Sequence, residues 1–140
     1  MSSTEVLSDV PSSLIAVMVL ISAADRNMTD KELFLIGELT KTLPAFEGYD
    51  PAKLVQSSGL AVELIEQTGG LAEAVVAIRD ALPKKFHETA YALACDVAAA
   101  DGTLEIEEIR ALEILRDGLD IDRLTSAAIE RAARARNMKA

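Results

Sequence analysis

The organisation of this chain follows from one acidic stretch, Asp96-Val97-Ala98-Ala99-Ala100-Asp101-Gly102-Thr103-Leu104-Glu105-Ile106-Glu107-Glu108-Ile109. It begins with small apolar residues, which let one helix pack closely against another. The pair Asp101-Gly102 then favours a tight turn, because glycine adopts a positive φ without steric cost. The glutamates after the turn suit the first turn of a new helix, where the helix dipole favours negative charge. The stretch therefore predicts a helix, an acidic turn and a second helix.

A weaker copy of the same pattern lies upstream, in Ala24-Asp25-Arg26-Asn27-Met28-Thr29-Asp30-Lys31-Glu32-Leu33. When the Ala-Asp pairs are superposed, Asp25 matches Asp101 and Glu32 matches Glu108. The apolar residues that follow also match, in the pairs Leu33 and Ile109, Ile36 and Leu112, Leu39 and Leu115, and Leu43 and Leu119. The sequence therefore predicts two related helix–acidic turn–helix units. Arg26 stands in the first unit where the second has Gly102.

The matched acids lie at the rim of apolar stripes, because helical residues three, four and seven apart share a face. A carboxylate brought toward a core must be hydrogen-bonded, paired or bound to a cation, since its desolvation alone is costly. Carboxylate oxygens are the ligands that Ca²⁺ and Mg²⁺ prefer. The predicted ligands of a divalent cation are Asp25, Glu32, Asp101 and Glu108, with Asp96 and Glu105 as further candidates.

Helix capping explains the same acids without an ion, and the sequence leaves both interpretations open. Thr29-Asp30-Lys31-Glu32 matches a capping box, in which the threonine and glutamate side chains bond the backbone of the first helical turn. Asp101 could close its own turn, with Gly102 supplying a positive φ.

The composition favours helices over strands. The chain has 140 residues, of which 50% are apolar and only 4% aromatic, with no tryptophan. No segment alternates polar and apolar residues as a strand does. We therefore expect one all-α domain over residues 1–140, with six to eight helices and a loose N-terminal segment at residues 1–10.

The charge and the single cysteine limit the function and the location. A net charge of −9 argues against nucleic acid as a partner, since phosphates require basic surfaces. The charge is uneven, at +4 over residues 123–140 and therefore −13 over the rest. Cys95 is the only cysteine, which excludes an internal disulfide and favours the cytoplasm. The apolar run Leu14–Ala24 is shorter than the roughly 20 residues that span a bilayer, so no direct membrane insertion is expected.

The pattern resembles the TerB-like domain of the tellurite-resistance family, from about Ser12 to about Ala133. The resemblance rests on Ala100-Asp101-Gly102 followed by Glu107-Glu108, on the small-residue helix before them, and on the duplicated motif around Asp25 and Glu32. Leu82-Pro83 and Leu119-Asp120-Ile121-Asp122 also look like that family. The resemblance implies a compact helical fold, metal ligands at the acidic motif positions, and a role in tellurite resistance or a broader stress response.

The first functional hypothesis is a non-enzymatic, cytoplasmic domain that binds a divalent cation, most simply Ca²⁺ or Mg²⁺, at its acidic turns. The alternative is a metal-independent interaction or scaffold module that recruits a protein partner. Its contact surface would be the acidic body or the loop Pro44–Tyr49, where Phe46 is predicted to be exposed. No residue set supplies a nucleophile with an oriented base, which argues against an enzyme. The sequence leaves the oligomeric state open.

Overall fold

The computed structural model describes residues 7, 9–24, 29–100 and 106–140. These residues form seven α-helices and no strand. The helices are α1 (Val10–Ser22), α2 (Asp30–Thr42), α3 (Leu54–Thr68), α4 (Leu71–Ala81), α5 (His87–Ala98), α6 (Ile106–Gly118) and α7 (Arg123–Arg136). Three short 3₁₀ turns lie between them, at Pro44–Phe46, Pro51–Lys53 and Lys84–Phe86. The predicted all-α class is confirmed, and the helix count falls within the predicted six to eight.

Helix α1 is the centre of the fold. Every residue from Ser13 to Ser22 is buried, as expected for a helix that is apolar on all sides. It contacts α2, α3, α4, α5 and α6. The apolar run in the first quarter of the chain is therefore a core helix, and its burial organises the packing of the other elements.

Most helix boundaries follow local signals in the sequence. Asp9 caps α1 by accepting from the Ser12 amide at 2.8 Å. Gly69 ends α3 in the left-handed conformation, with φ of 97°. Asp122 caps α7 through the Thr125 amide at 2.8 Å. Residues 1–6 and 8 of the predicted loose N-terminal segment lie outside the described residues.

The two predicted units have corresponding positions in the fold. Helices α1 and α5 precede the two acidic turns and pack against each other. Helices α2 and α6 follow the turns, and each contacts both α1 and α5. The contact between α1 and α5 therefore joins the two units, and α2 and α6 both pack against it.

The final helix docks on the second unit. Tyr91 Oη of α5 donates a hydrogen bond of 2.6 Å to Glu130 Oε2 of α7. Arg136, near the end of α7, donates to both carboxylate oxygens of Asp96, at 2.9 and 3.1 Å. The basic C-terminal region thus uses one arginine to bind the body, while Arg123, Arg131 and Arg134 are exposed.

The prediction of an exposed Phe46 is wrong. This side chain is 2% exposed and packs edge-on against Tyr49, with ring centroids 5.9 Å apart. Pro44 begins a 3₁₀ turn here, which directs the phenyl ring into the core beside α1 and α2. The loop therefore completes the core, and the aromatic partner contact predicted there has no exposed phenylalanine to make it.

None of the described helices combines the length and the apolar character that crossing a bilayer requires.

Candidate metal-binding turns

Three of the six predicted ligands lie in the part of the chain that the structure describes. They are Glu32, Glu108 and Asp96. Asp25, Asp101 and Glu105 lie outside the described residues. The geometry of the candidate site is therefore built from the helices that enter and leave the two turns.

Glu32 forms the predicted capping box at the start of α2. Its Oε1 accepts from the Thr29 amide at 3.0 Å and from the Thr29 hydroxyl at 2.9 Å. Thr29 Oγ1 accepts from the Glu32 amide at 3.1 Å in return. The capping interpretation of this glutamate is confirmed, but it accounts for only one of the two carboxylate oxygens.

The second oxygen of Glu32 is buried and lacks a hydrogen-bond partner among the described residues. Glu32 is only 3% exposed, so bulk water has little access to its carboxylate. Ser22 Oγ, at the other side of the first turn, is likewise buried without such a partner. Buried polar atoms are nearly always satisfied, so each exception requires an explanation, of which a bound water or ion is one. Ser22 could not be singled out from the sequence, because a serine inside a helix usually bonds its own backbone.

Glu108 occupies the corresponding place in the second unit. It is the third residue of α6, as Glu32 is the third residue of α2, and both are 3% exposed. The next residues also agree, since Leu33 is 45% exposed and Ile109 is 43% exposed. A buried carboxylate therefore stands in the first turn after each acidic turn, near the positive end of its helix dipole.

The family is decided by a comparison with protein-family models. The model described as tellurite resistance protein TerB matches residues 12–132, which include both turns and all seven helices except the ends of the first and last. The chain belongs to the TerB family. Comparisons with curated proteins and with solved structures each gave no match.

In this TerB domain, Asp96 has a partner of its own. Its carboxylate accepts the two hydrogen bonds from Arg136, and Asn137 Nδ2 lies 3.5 Å from Oδ1. A guanidinium in this position compensates the charge of the carboxylate, which removes the need for a cation. The structure therefore gives Asp96 a role in docking α7, a role that its position in the sequence could not indicate.

The described part of the TerB domain supplies two buried carboxylates and no complete coordination shell. No three His, Cys, Asp or Glu side chains come together among the residues that the structure describes. Ca²⁺ takes about six to eight oxygen ligands, and Mg²⁺ keeps several waters. Glu32 and Glu108 could therefore provide a part of a shell that the acids of the turns and water would complete.

Proposed function

We propose that this TerB domain is a non-enzymatic, cytoplasmic module that binds a divalent cation, Ca²⁺ or Mg²⁺, at its acidic turns. The ligands are Glu32 and Glu108, together with Asp25, Asp101 and Glu105 of the turns. The cation neutralises the clustered carboxylates and holds the two helix pairs, which we take to be an internal duplication, against each other. The module would act in tellurite resistance or a broader stress response.

The observation that carries the proposal is the Oε2 of Glu32, which is buried and has no hydrogen-bond partner within residues 9–24, 29–100 and 106–140. Burying a carboxylate that is 3% exposed has a desolvation cost, and the bonds from Thr29 reach only its other oxygen. A cation bound to Oε2 supplies the missing compensation. Glu108 is equally buried at the corresponding position of α6, which makes it a candidate ligand from the second unit.

The non-enzymatic part of the proposal is supported by the groups that could have served as nucleophile or base. Burial raises the pKa of the Cys95 thiol to about 12, so the thiolate is scarce at neutral pH. The ring of His87 is held by a contact of 2.9 Å from Nε2 to the Leu82 carbonyl oxygen. Neither residue is paired with the other in a catalytic arrangement.

The test is a titration of the metal-free protein with Ca²⁺, Mg²⁺ and Mn²⁺. Binding is measured as a rise in melting temperature and as heat in a calorimeter. Glu32→Gln keeps an acceptor for the capping box, in which glutamine serves as well as glutamate, but removes the charge. We expect it to abolish or strongly reduce the metal-induced rise in melting temperature. Glu38→Gln is the matched control on the same helix, because that side chain is 44% exposed.

In the second unit, a test variant and its control can be made at adjacent glutamates. Glu108→Gln should weaken metal binding, whereas Glu107→Gln should not, because Glu107 is exposed one residue away. If one ion binds per chain, and both Glu32→Gln and Glu108→Gln weaken its binding, the two glutamates share one site. No stabilisation by any of the ions would overturn the metal proposal, and equal effects with and without metal would leave capping as the role of Glu32.

The physiological part has its own test. Cells that depend on this protein for growth on tellurite should lose resistance when Glu32→Gln and Glu108→Gln are combined, at unchanged protein level. Full resistance of that strain would separate the cellular role from the ion site.

A metal-independent interaction module is the second candidate, and one observation favours it. Large apolar side chains are exposed within the first five residues of both helices that follow the acidic turns. They are Leu33 at 45%, Phe34 at 69%, Ile106 at 75% and Ile109 at 43%. Such side chains are common in protein contacts. A partner whose capture is lost with Phe34→Ser and is indifferent to chelator would support this candidate over the first.

A further inference from the structure

A cleft of about 580 Å³ lies between α5, α6 and α7, on the side of the second unit where the last helix docks. Its floor is formed by Tyr91 and Cys95 of α5 and by Ala99 at the end of that helix, and its walls by α6 and α7. Ligand pockets in proteins measure about 300–1,000 Å³, so this cleft has room for a small molecule. Neither of the described acids assigned to the ion, Glu32 and Glu108, lines it.

The interior of the cleft is apolar. Tyr91 is 1% exposed and Cys95 is 5% exposed, and Leu112 and Ala133 extend the same surface along the two walls. The Tyr91 hydroxyl donates its proton to Glu130, so it is not available as a donor to a polar ligand. This lining favours a hydrocarbon group over a polar one.

Charged side chains surround the mouth of the cleft. They are Arg116, Arg134, Lys139, Glu113 and Glu130. Arg116 is paired with Asp117 at 3.4 Å, and Glu130 accepts the hydrogen bond from the Tyr91 hydroxyl. Arg134 is exposed, and its side chain makes no hydrogen bond or ion pair with another described residue. An unpaired guanidinium at the mouth of an apolar cleft favours an anionic head group.

We propose that the cleft binds a small amphiphilic anion, of the chemical class of a medium-chain carboxylate. The hydrocarbon chain would lie on the floor between α6 and α7, and the carboxylate would meet Arg134 at the rim. An apolar pocket with one or two charged groups at its mouth is the usual design of a site for such a ligand. The proposal does not depend on metal binding at the acidic turns.

The first experiment measures binding of decanoate below its micellar concentration by calorimetry, with 1-decanol and decylamine as neutral and cationic probes. We expect decanoate to bind more tightly than decanol, and decylamine to bind most weakly. Along the series octanoate, nonanoate and decanoate, affinity should rise about fourfold for each methylene that is buried. Equal binding of the three head groups, or no dependence on chain length, would overturn the proposal.

Two arginines on the same helix give a matched pair of variants. Arg134→Ala should weaken decanoate about two- to fivefold, as expected for an exposed ion pair, and leave decanol unchanged. Arg131→Ala removes the same charge from an exposed position of α7 that does not line the cleft. An equal loss of affinity in the two variants would mean attraction to the basic helix in general, which contradicts a site.

Methyl resonances report where the ligand binds, because Ile109, Leu112 and Ala133 line the cleft. Decanoate should shift the NMR signals of these methyl groups in proportion to the occupied fraction. The shifts should weaken in Arg134→Ala and persist in Arg131→Ala. Binding without shifts at these methyl groups would place decanoate elsewhere and overturn the proposal.

Two other occupants would be recognised by the same measurements. Binding to vesicles of anionic phospholipid, with no binding of monomeric decanoate, would assign the rim to a membrane surface. A concentration-dependent dimer that shifts the same methyl signals and resists decanoate would assign the cleft to a second copy of the chain. Either result would overturn the proposal of a free carboxylate ligand.

Discussion

Tyr91 Oη donates a 2.6 Å hydrogen bond to Glu130 Oε2, a residue 39 positions further along the chain, and so joins α7 to the body of the domain. The tyrosine is 1% exposed, and burial, with Glu130 as the next cause, raises the pKa of its hydroxyl far above 10.0. The proton therefore stays on the tyrosine, which remains a donor throughout the physiological pH range.

The Tyr91 bond should contribute measurably to stability. We expect Tyr91→Phe to lower the free energy of unfolding by about 1.5–3 kcal/mol in urea, the range for a hydrogen bond to a charged group. Tyr49→Phe is the matched control, because its hydroxyl bonds the neutral Ser57 hydroxyl at 3.0 Å in a half-buried position. The control should lose less, and equal losses would contradict a special role for Glu130.

The capping box and the proposed ion site can be separated at the start of α2. Thr29→Ala removes the bond to the Glu32 amide and should cost about 1 kcal/mol of stability. The charge of Glu32 is retained, so we expect the metal-induced rise in melting temperature to persist. Thr42→Ala, which alters an exposed threonine at the other end of the helix, should change neither quantity much. Loss of the metal response in Thr29→Ala would show that the cap orients the ligand.

Close packing of α4 against α6 depends on the absence of a side chain at Gly118. A methyl group added there would overlap Val75 Cγ1, which is buried in the core. We expect Gly118→Ala to destabilise the domain by about 1–3 kcal/mol, despite the better helix propensity of alanine. Gly59→Ala, with open space around the new methyl group, should instead stabilise by about 0.5–1 kcal/mol.

A double variant checks the physical cause. Val75→Ala should make room for the methyl group of Gly118→Ala. The loss of stability in the double variant should therefore be smaller than the sum of the two single-variant losses. Strict additivity in chemical unfolding would indicate that the overlap is relieved elsewhere.

Cys95 should make the domain sensitive to alkali. Burial raises the pKa of its thiol from 9.0 to about 12, so the unfolded chain loses this proton first as pH rises. The unfolded state then binds fewer protons than the folded state, and stability falls between about pH 9 and 12 by roughly 1 kcal/mol per pH unit. Below pH 9 the contribution is fully present.

The measurement is urea unfolding of the wild type and Cys95→Ala from pH 7 to pH 10. We expect the variant to lose less stability than the wild type above pH 9, whatever its stability at neutral pH. The range stops at pH 10 because Tyr91, whose pKa is also raised, adds a similar loss above that point. Parallel curves for the two proteins would contradict a buried neutral thiol.

Much of the fold can be predicted from the sequence because its signals are local. Asp9, Thr29 and Asp122 cap their helices through backbone groups only three residues away. Gly69 ends α3 because it can adopt a positive φ. Periodicity also indicates that Glu32 and Glu108 lie beside apolar stripes, and the structure places both in the buried class.

The contacts of Asp96 and the burial of Phe46 depend on residues that are distant in the chain. Asp96 bears the same charge as the other candidates, but Arg136, 40 positions away, binds it once α7 packs on α5. Phe46 was expected at the surface of a loop, and a 3₁₀ turn beside α1 buries it instead. Neither outcome has a local signal, because each requires a neighbour that only packing provides.

The sequence by itself determined the all-helical class, the capping box at Thr29 and the family, because these depend on spacing and on bonds within a single turn. Only the tertiary structure decided that one oxygen of Glu32 is buried with no donor from the described segments, that Arg136 binds Asp96, and that an apolar cleft with Arg134 at its rim opens between α6 and α7. Burial and charge pairing arise when distant segments exclude water from each other, so they depend on the packed arrangement of the helices.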